Sequence, residues 1–172
     1  VRSTSCSIYG NNHIDVAIAL EIVGTDESNL IEITAASGGN RHFKVADGAI
    51  LTLRYLKLVG ADISSHGNTE NGYGGAIYMV GDGSKVNIHS SMLYNNRAHR
   101  GGAIASSSSS NNIISIYNSS ITSNVATNNG GGLGNIGNGF TLNVYSSIFD
   151  NNRAYRGGAI DSTSSSDTIN IV

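Results

Sequence analysis

Three stretches of the chain alternate strictly between aliphatic and polar residues: Val86-Asn87-Ile88-His89, Ile114-Ser115-Ile116-Tyr117 and Leu142-Asn143-Val144-Tyr145. A period of two puts the aliphatic side chains on one face of a strand and Asn, Ser, His and Tyr on the other. Two further β-compatible stretches recur at intervals of about 28 residues. One follows a Gly-Gly pair, as Ala76-Ile77-Tyr78-Met79, Ala103-Ile104 and Ala159-Ile160. The other runs Met92-Leu93-Tyr94-Asn95-Asn96, Ser120-Ile121-Thr122-Ser123-Asn124 and Ile148-Phe149-Asp150-Asn151-Asn152. Three short strands per unit of about 28 residues predict an all-β chain wound as a right-handed parallel β-helix, a solenoid. Equivalent positions then stack in columns about 4.8 Å apart.

A longer period lies over the short one. Residues 75–116 align on 131–172 without a gap, with 20 of 42 positions identical. The Asn95-Asn96-Arg97-Ala98-His99-Arg100 corner and its counterpart ending in Arg156 therefore occupy alternate coils. The serine-rich stretches 106–110 and 162–166 do the same, and their fixed place in the repeat predicts a short exposed corner. The first 70 residues carry the pattern more loosely. Leu51–Leu58 reads as one early coil, preceded by Phe43–Val45 and Ile31–Ile33, and 13–23 is apolar enough for a capping strand or a short helix. The expected layout is one domain: residues 1–40 form an N-terminal capping region with the first strands, and 41–172 form the coils. The last coil is incomplete at Thr168–Val172. Ala61 to Tyr73, rich in Ser, Asn, Gly and His, should be a lateral loop.

Composition narrows the function classes. Charged residues are 13% of the 172, and the net charge is −2. Nucleic acid and anionic membranes need basic patches, so neither is an expected partner. No apolar run approaches the roughly 20 residues that span a bilayer as a helix, so direct membrane insertion is not expected. The chain has 22 glycines and no proline. Gly and Asn tolerate the positive φ of sharp corners, and a chain paired above and below needs its backbone N–H groups. Cys6 is the only cysteine. It offers no disulfide framework within the chain and no thiolate zinc site. The chain opens Val1-Arg2 without methionine, consistent with a removed leader or a segment of a longer protein.

The Gly-Gly-Ala-Ile and Phe149-x-x-Asn152 signatures resemble the polymorphic outer membrane protein repeats of chlamydial autotransporters. More broadly they are similar to pectin-lyase-type β-helix repeats of surface proteins. Leu93-x-x-Asn96 and Ile121-x-x-Asn124 are the same motif with aliphatics in place of Phe, and residues 40–49 look like the opening coil of such proteins. The resemblance covers about residues 40–172. It implies the β-helix fold and an extracellular or cell-surface setting; its motifs are those that build the coil, and they point to no chemistry.

Candidate sites come from what coil building leaves over. Asn96, Asn124 and Asn152 form one column and read as a structural ladder of side-chain amides. Arg97, Arg100, Arg153 and Arg156 recur in alternate coils, two coils or about 9–10 Å apart. They suit a solvated basic edge, an inter-subunit contact, or the basic residue of a polysaccharide lyase. Lyase chemistry would also need converging carboxylates for calcium, whereas the aspartates are scattered and no two acidic residues lie 28 residues apart in successive coils. His89, Tyr117 and Tyr145 stack outward, where aromatics shield a sheet, pack on another chain, or contact sugars. Asn118-Ser119-Ser120 is the one N-glycosylation sequon, a candidate if the source is a secreted eukaryotic protein. Gly132-x-Gly134-x-x-Gly137 fits a dinucleotide fingerprint, but strand-like alternation follows it where that site needs a helix. No metal site and no cofactor are expected.

The resulting expectation is a non-enzymatic extracellular β-solenoid segment of a surface protein, adhesin or filament. Its partners would be a second copy bound head-to-tail, flanking parts of a longer chain, or carbohydrate. The alternative is a lyase or epimerase acting on acidic glycans.

Overall fold

The computed structural model describes residues 5–8, 13–35, 39–107 and 110–172. Among them the chain forms an all-β parallel solenoid of about five turns, with three principal strands per coil. Each coil visits three six-stranded parallel sheets in the same order. The first contains Ser5–Ile8, Ile31–Ala35, Leu56–Val59, Met92–Tyr94, Ser120–Thr122 and Ile148–Asp150. The second contains Ile14–Val16, Phe43–Val45, Ile77–Met79, Ile104–Ser106, Leu133–Asn135 and Ile160–Ser162. The third contains Ala19–Val23, Ile50–Arg54, Lys85–His89, Ile113–Tyr117, Thr141–Tyr145 and Thr168–Ile171. No α-helix occurs among the described residues; Ser64–His66 and Glu70–Gly72 are single 3-10 turns.

Aliphatic columns fill the interior. Ile33, Leu58, Leu93, Ile121 and Phe149 stack from the first sheet. Phe43, Ile77, Ile104, Leu133 and Ile160 stack from the second. The third adds two columns, including Leu51, Val86, Ile114 and Leu142 beside Leu53, Ile88, Ile116 and Val144. These columns join in one continuous core. The alternation read from the sequence is thus the inside–outside alternation of the third sheet.

Corners are made by left-handed residues, also in columns. Asn95, Ser123 and Asn151 leave the first sheet. Gly74, Gly101, Gly130 and Gly157 lead into the second, and Gly83, Asn111 and Gly139 join the second to the third. Ser90, Asn118 and Ser146 join the third to the first. All have φ between 43° and 66°. The second glycine of each Gly-Gly pair has a different reason to be glycine. A Cβ at Gly75, Gly102 or Gly131 would overlap the carbonyl oxygen of Gly102, Gly131 or Gly158 in the next coil. The Gly-Gly motif therefore combines one conformational and one steric requirement.

The structure adds to the predicted three strands a short fourth ladder. Arg97–Arg100 pairs with Val125–Asn129, and isolated bridges extend it to Asp62, Tyr73, Arg153 and Arg156. Residues 13–23, read as a capping strand or a short helix, contain two strands that pair in parallel with Phe43–Val45 and Ile50–Arg54. The lateral loop between Ala61 and Tyr73 lengthens its coil. Stacked positions across it lie 35 residues apart, against 28 in later coils. Cys6 lies in the strand Ser5–Ile8; its side chain lies outside the described residues, as do Ser108 and Ser109 of the first serine corner.

Candidate functional site

The outer face of the third sheet carries two ordered polar columns. In one, Arg54, His89, Tyr117 and Tyr145 are in register. The rings of His89 and Tyr117 lie 4.8 Å apart at 6°, and those of Tyr117 and Tyr145 lie 4.9 Å apart at 6°. Successive coils fix that distance, because the parallel strands carry each ring directly over the last. Face-to-face stacking covers the faces of Tyr117, so its edge and hydroxyl are what reach solvent. Burial, followed by the charge of Arg54, lowers the His89 pKa. Arg54 is held by Glu21, with Nε donating to Oε1 at 2.9 Å.

The neighbouring column is Thr52, Asn87, Ser115, Asn143 and Asn170. Asn170 Nδ2 donates to Asn143 Oδ1 at 2.8 Å, and Asn143 Nδ2 reaches Ser115 Oγ at 3.5 Å. Amides and hydroxyls thus run parallel to the aromatic column with the same one-coil step. Together they form a grid of donors and acceptors on one face.

The four arginines occupy the fourth ladder. Arg97 and Arg153 both flank Val125, from the coils on either side, and Arg100 and Arg156 flank Asn129 in the same way. Arg97 Nε lies 3.6 Å from Asp62 Oδ2. The Arg100 guanidinium sits 5.8 Å from the Tyr73 ring centroid. Arg97, Arg153 and Arg156 are exposed. No carboxylate cluster faces this edge: among the described residues no three His, Cys, Asp or Glu side chains converge as a metal site would require.

Asn96 and Asn124 are fully buried, and Asn152 is half-buried at the end of the column. Asn124 Oδ1 accepts the backbone N–H and the Nδ2–H of Asn96, both at 3.0 Å. Asn124 Nδ2 donates to Leu93 O and to Asn152 Oδ1, again at 3.0 Å each. Every amide therefore links one coil to the next. Asn118 is exposed on a left-handed corner, with φ 47°.

Two further ladders were not singled out from the sequence. Ser91, Ser119 and Ser147 stack 28 residues apart. Each hydroxyl donates to a carbonyl two residues back, and accepts a backbone N–H from the preceding coil: Leu56 to Ser91, Ser91 to Ser119, and Ser119 to Ser147, all at 3.1 Å. The spacing was visible, but the serines blend into a serine-rich chain. Asp47 and Asp82 also share a column: Asp47 Oδ1 accepts the Asp82 N–H at 2.9 Å, and Asp82 Oδ1 accepts the Ser110 N–H at 3.2 Å. Their 35-residue step takes this pair out of the 28-residue period. Both carboxylates are thereby engaged in corner hydrogen bonds.

Comparisons with curated proteins and with solved structures gave no match. Residues 146–163, which contain both Phe149-x-x-Asn152 and Gly157-Gly158-Ala159-Ile160, match the Chlamydia polymorphic membrane protein repeat, and the parallel solenoid is the fold that this resemblance implies.

Proposed function

We propose that the chain is a non-enzymatic extracellular β-solenoid segment of a surface protein, whose third-sheet face makes repeated weak contacts with carbohydrate. A polymorphic membrane protein repeat carried on a β-solenoid fits a surface-protein segment. The observation that supports the finer reading is the His89–Tyr117–Tyr145 column running beside the Thr52–Asn170 column. A polymer bearing hydroxyls at regular intervals can engage several rows together, and such contacts multiply without any of them being strong.

Because the ring faces are used within the stack, sugar contact there goes through ring edges and phenol hydroxyls rather than by face stacking. The test is binding of the purified protein to immobilised polysaccharides, compared with Tyr117→Phe/Tyr145→Phe and Thr52→Ala/Asn143→Ala. Both double variants are expected to lose most of the binding. Retention of a polysaccharide by the two variants at wild-type affinity would refute the face as the contact, and no binding to any acidic or neutral glycan would refute the carbohydrate reading.

Head-to-tail contact is part of the same proposal. Ile148–Asp150, Ile160–Ser162 and Thr168–Ile171 each pair on one side only among the described residues. Core-column residues Ile169 and Ile171 are 42% and 67% exposed there. A flanking part of a longer chain or a second copy can pair at this end; a second copy makes a heterologous contact, which extends rather than closes. Sedimentation velocity over a wide concentration range should show growth beyond the monomer; a constant monomer would rule this contact out.

A further inference from the structure

Beside the lateral loop lies a partly enclosed cavity of about 70 Å³, lined by His13, Gly39, Arg41, Ile63, His66 and Asn71. The first coil supplies His13, the second supplies Gly39 and Arg41, and the inserted loop supplies Ile63, His66 and Asn71. Arg41 is only 4% exposed. Its Nη2 donates to the carbonyl oxygens of Glu70 at 3.0 Å and Asn71 at 2.7 Å, and its guanidinium lies 4.9 Å from the Tyr78 ring centroid. These contacts clamp the loop.

The clamp does not pair the charge; Glu70 and Asp15 attract it without a direct contact. A guanidinium has five N–H donors, and both hydrogen bonds use one nitrogen. Among the described residues no carboxylate forms an ion pair with Arg41. Desolvation lowers its pKa to about 10, so it stays charged at neutral pH. A buried cation of this kind ordinarily has an anion beside it, since an unpaired buried charge is costly. The rest of the wall is mostly polar and partly engaged already. His66 Nδ1 lies 3.3 Å from Ile63 O, so that nitrogen carries its proton there. His13 Nε2 lies 3.2 Å from Asp15 Oδ1. Asn71 is exposed at the rim.

We propose that this cavity binds one small oxyanion, a carboxylate- or sulfate-sized group, with Arg41 as its charge partner and His13, His66 and Asn71 around it. The space exceeds the ~30 Å³ share of one liquid water and accommodates a compact polyatomic anion. The group can be a free ion or the acidic substituent of a saccharide, and the probes separate the two.

The experiment follows the imidazole carbon–proton signals of the histidines by NMR, at fixed pH. Sodium sulfate, sodium acetate and sodium glucuronate are titrated in separately, with sodium chloride at matched ionic strength as the reference. Saturable shifts are expected at His13 and His66 and none at His89 and His99, which lie on other faces. Glucuronate binding more tightly than acetate identifies a saccharide substituent; equal affinity identifies the free ion. Arg41→Gln should abolish saturation, but it also unclamps the loop. Asn71→Asp is therefore the second variant: it sits on the exposed rim and gives Arg41 a carboxylate in place. It should weaken the anion by about tenfold or more, the scale of one charge-assisted hydrogen bond. Non-saturating shifts, equal shifts at all histidines, or unchanged affinity in Asn71→Asp would overturn the proposal.

Discussion

Replacing Asn124 tests how much of the solenoid rests on side-chain ladders rather than on its aliphatic columns. In Asn124→Ala, Asn96 loses the acceptor for its backbone N–H, and Leu93 O loses the Asn124 amide. Two other groups keep a partner: Asn96 Nδ2 still donates to Leu58 O at 3.2 Å, and Asn152 Oδ1 still accepts the residue-124 N–H at 3.0 Å. Asn96 and position 124 are fully buried, so water does not replace what is lost. One stranded buried N–H at about 1–3 kcal/mol, with the second hydrogen bond to Leu93 O lost at about 1 kcal/mol, gives a loss of about 2–4 kcal/mol. For a chain of this size that is a fall in Tm on the order of 10 °C. Asn152→Ala removes a comparable set of bonds at the half-buried end of the column, where water can enter, and should cost about 1 kcal/mol. Asn124→Asp keeps the volume but turns a donor into an oxygen facing Leu93 O and Asn152 Oδ1, so it should be at least as damaging as Ala. Urea unfolding followed by far-UV circular dichroism and by tyrosine fluorescence gives the values, with coincident curves as the check on two-state behaviour. A loss below 1 kcal/mol in Asn124→Ala, or one no larger than in Asn152→Ala, would refute the reasoning.

Gly102→Ala should prevent folding or cost more than about 4 kcal/mol, because the new Cβ meets backbone of the next coil. Gly83→Ala meets nothing within 4 Å and bears only the left-handed penalty of about 1–2 kcal/mol, so the two urea midpoints should separate widely. Ser119→Ala removes the acceptor for the Ser91 N–H and should cost about 1–2 kcal/mol by the same measurement. Stability should also fall with acid through His42, which is fully buried with Nε2 2.9 Å from Ile33 O. Burial lowers its pKa from 6.5 to about 4. The unfolded chain takes up the proton first, so stability is complete above pH 6.5 and is lost as the pH falls toward 4, at up to about 1.4 kcal/mol per pH unit. His13, His89 and His99 shift in the same direction. His42→Gln should flatten most of the slope in urea midpoints between pH 7 and 4.5; an unchanged slope would assign the effect elsewhere.

The parts legible in the sequence are those where each coil repeats one solution to one problem. Val86, Ile114 and Leu142 could be placed inward from alternation alone, and the Gly-Gly pairs marked the turn into the second sheet. The Arg97–Arg100 ladder was not legible as a strand. Its pairing is short, and Arg97-Ala98-His99-Arg100 has neither the aliphatics nor the alternation that announce one. Asp47 and Asp82 were missed because the inserted loop changes the local period. The Arg41 cavity was hidden for a deeper reason: its walls come from a loop and from two coils that do not repeat, so no spacing in the chain points to it.

The coil that carries the inserted loop shows how this architecture separates length from alignment. The chain departs after Gly60 and returns at Gly74, both left-handed, while Asp62 and Tyr73 still bridge to Arg97 and Arg100 above them. All three sheets keep their pairing across the excursion. The corner therefore acts as a socket whose contents can be exchanged without retuning the rod beneath. New recognition loops can be grafted between Gly60 and Gly74, and the cavity beside the present loop is one instance of what that socket can hold.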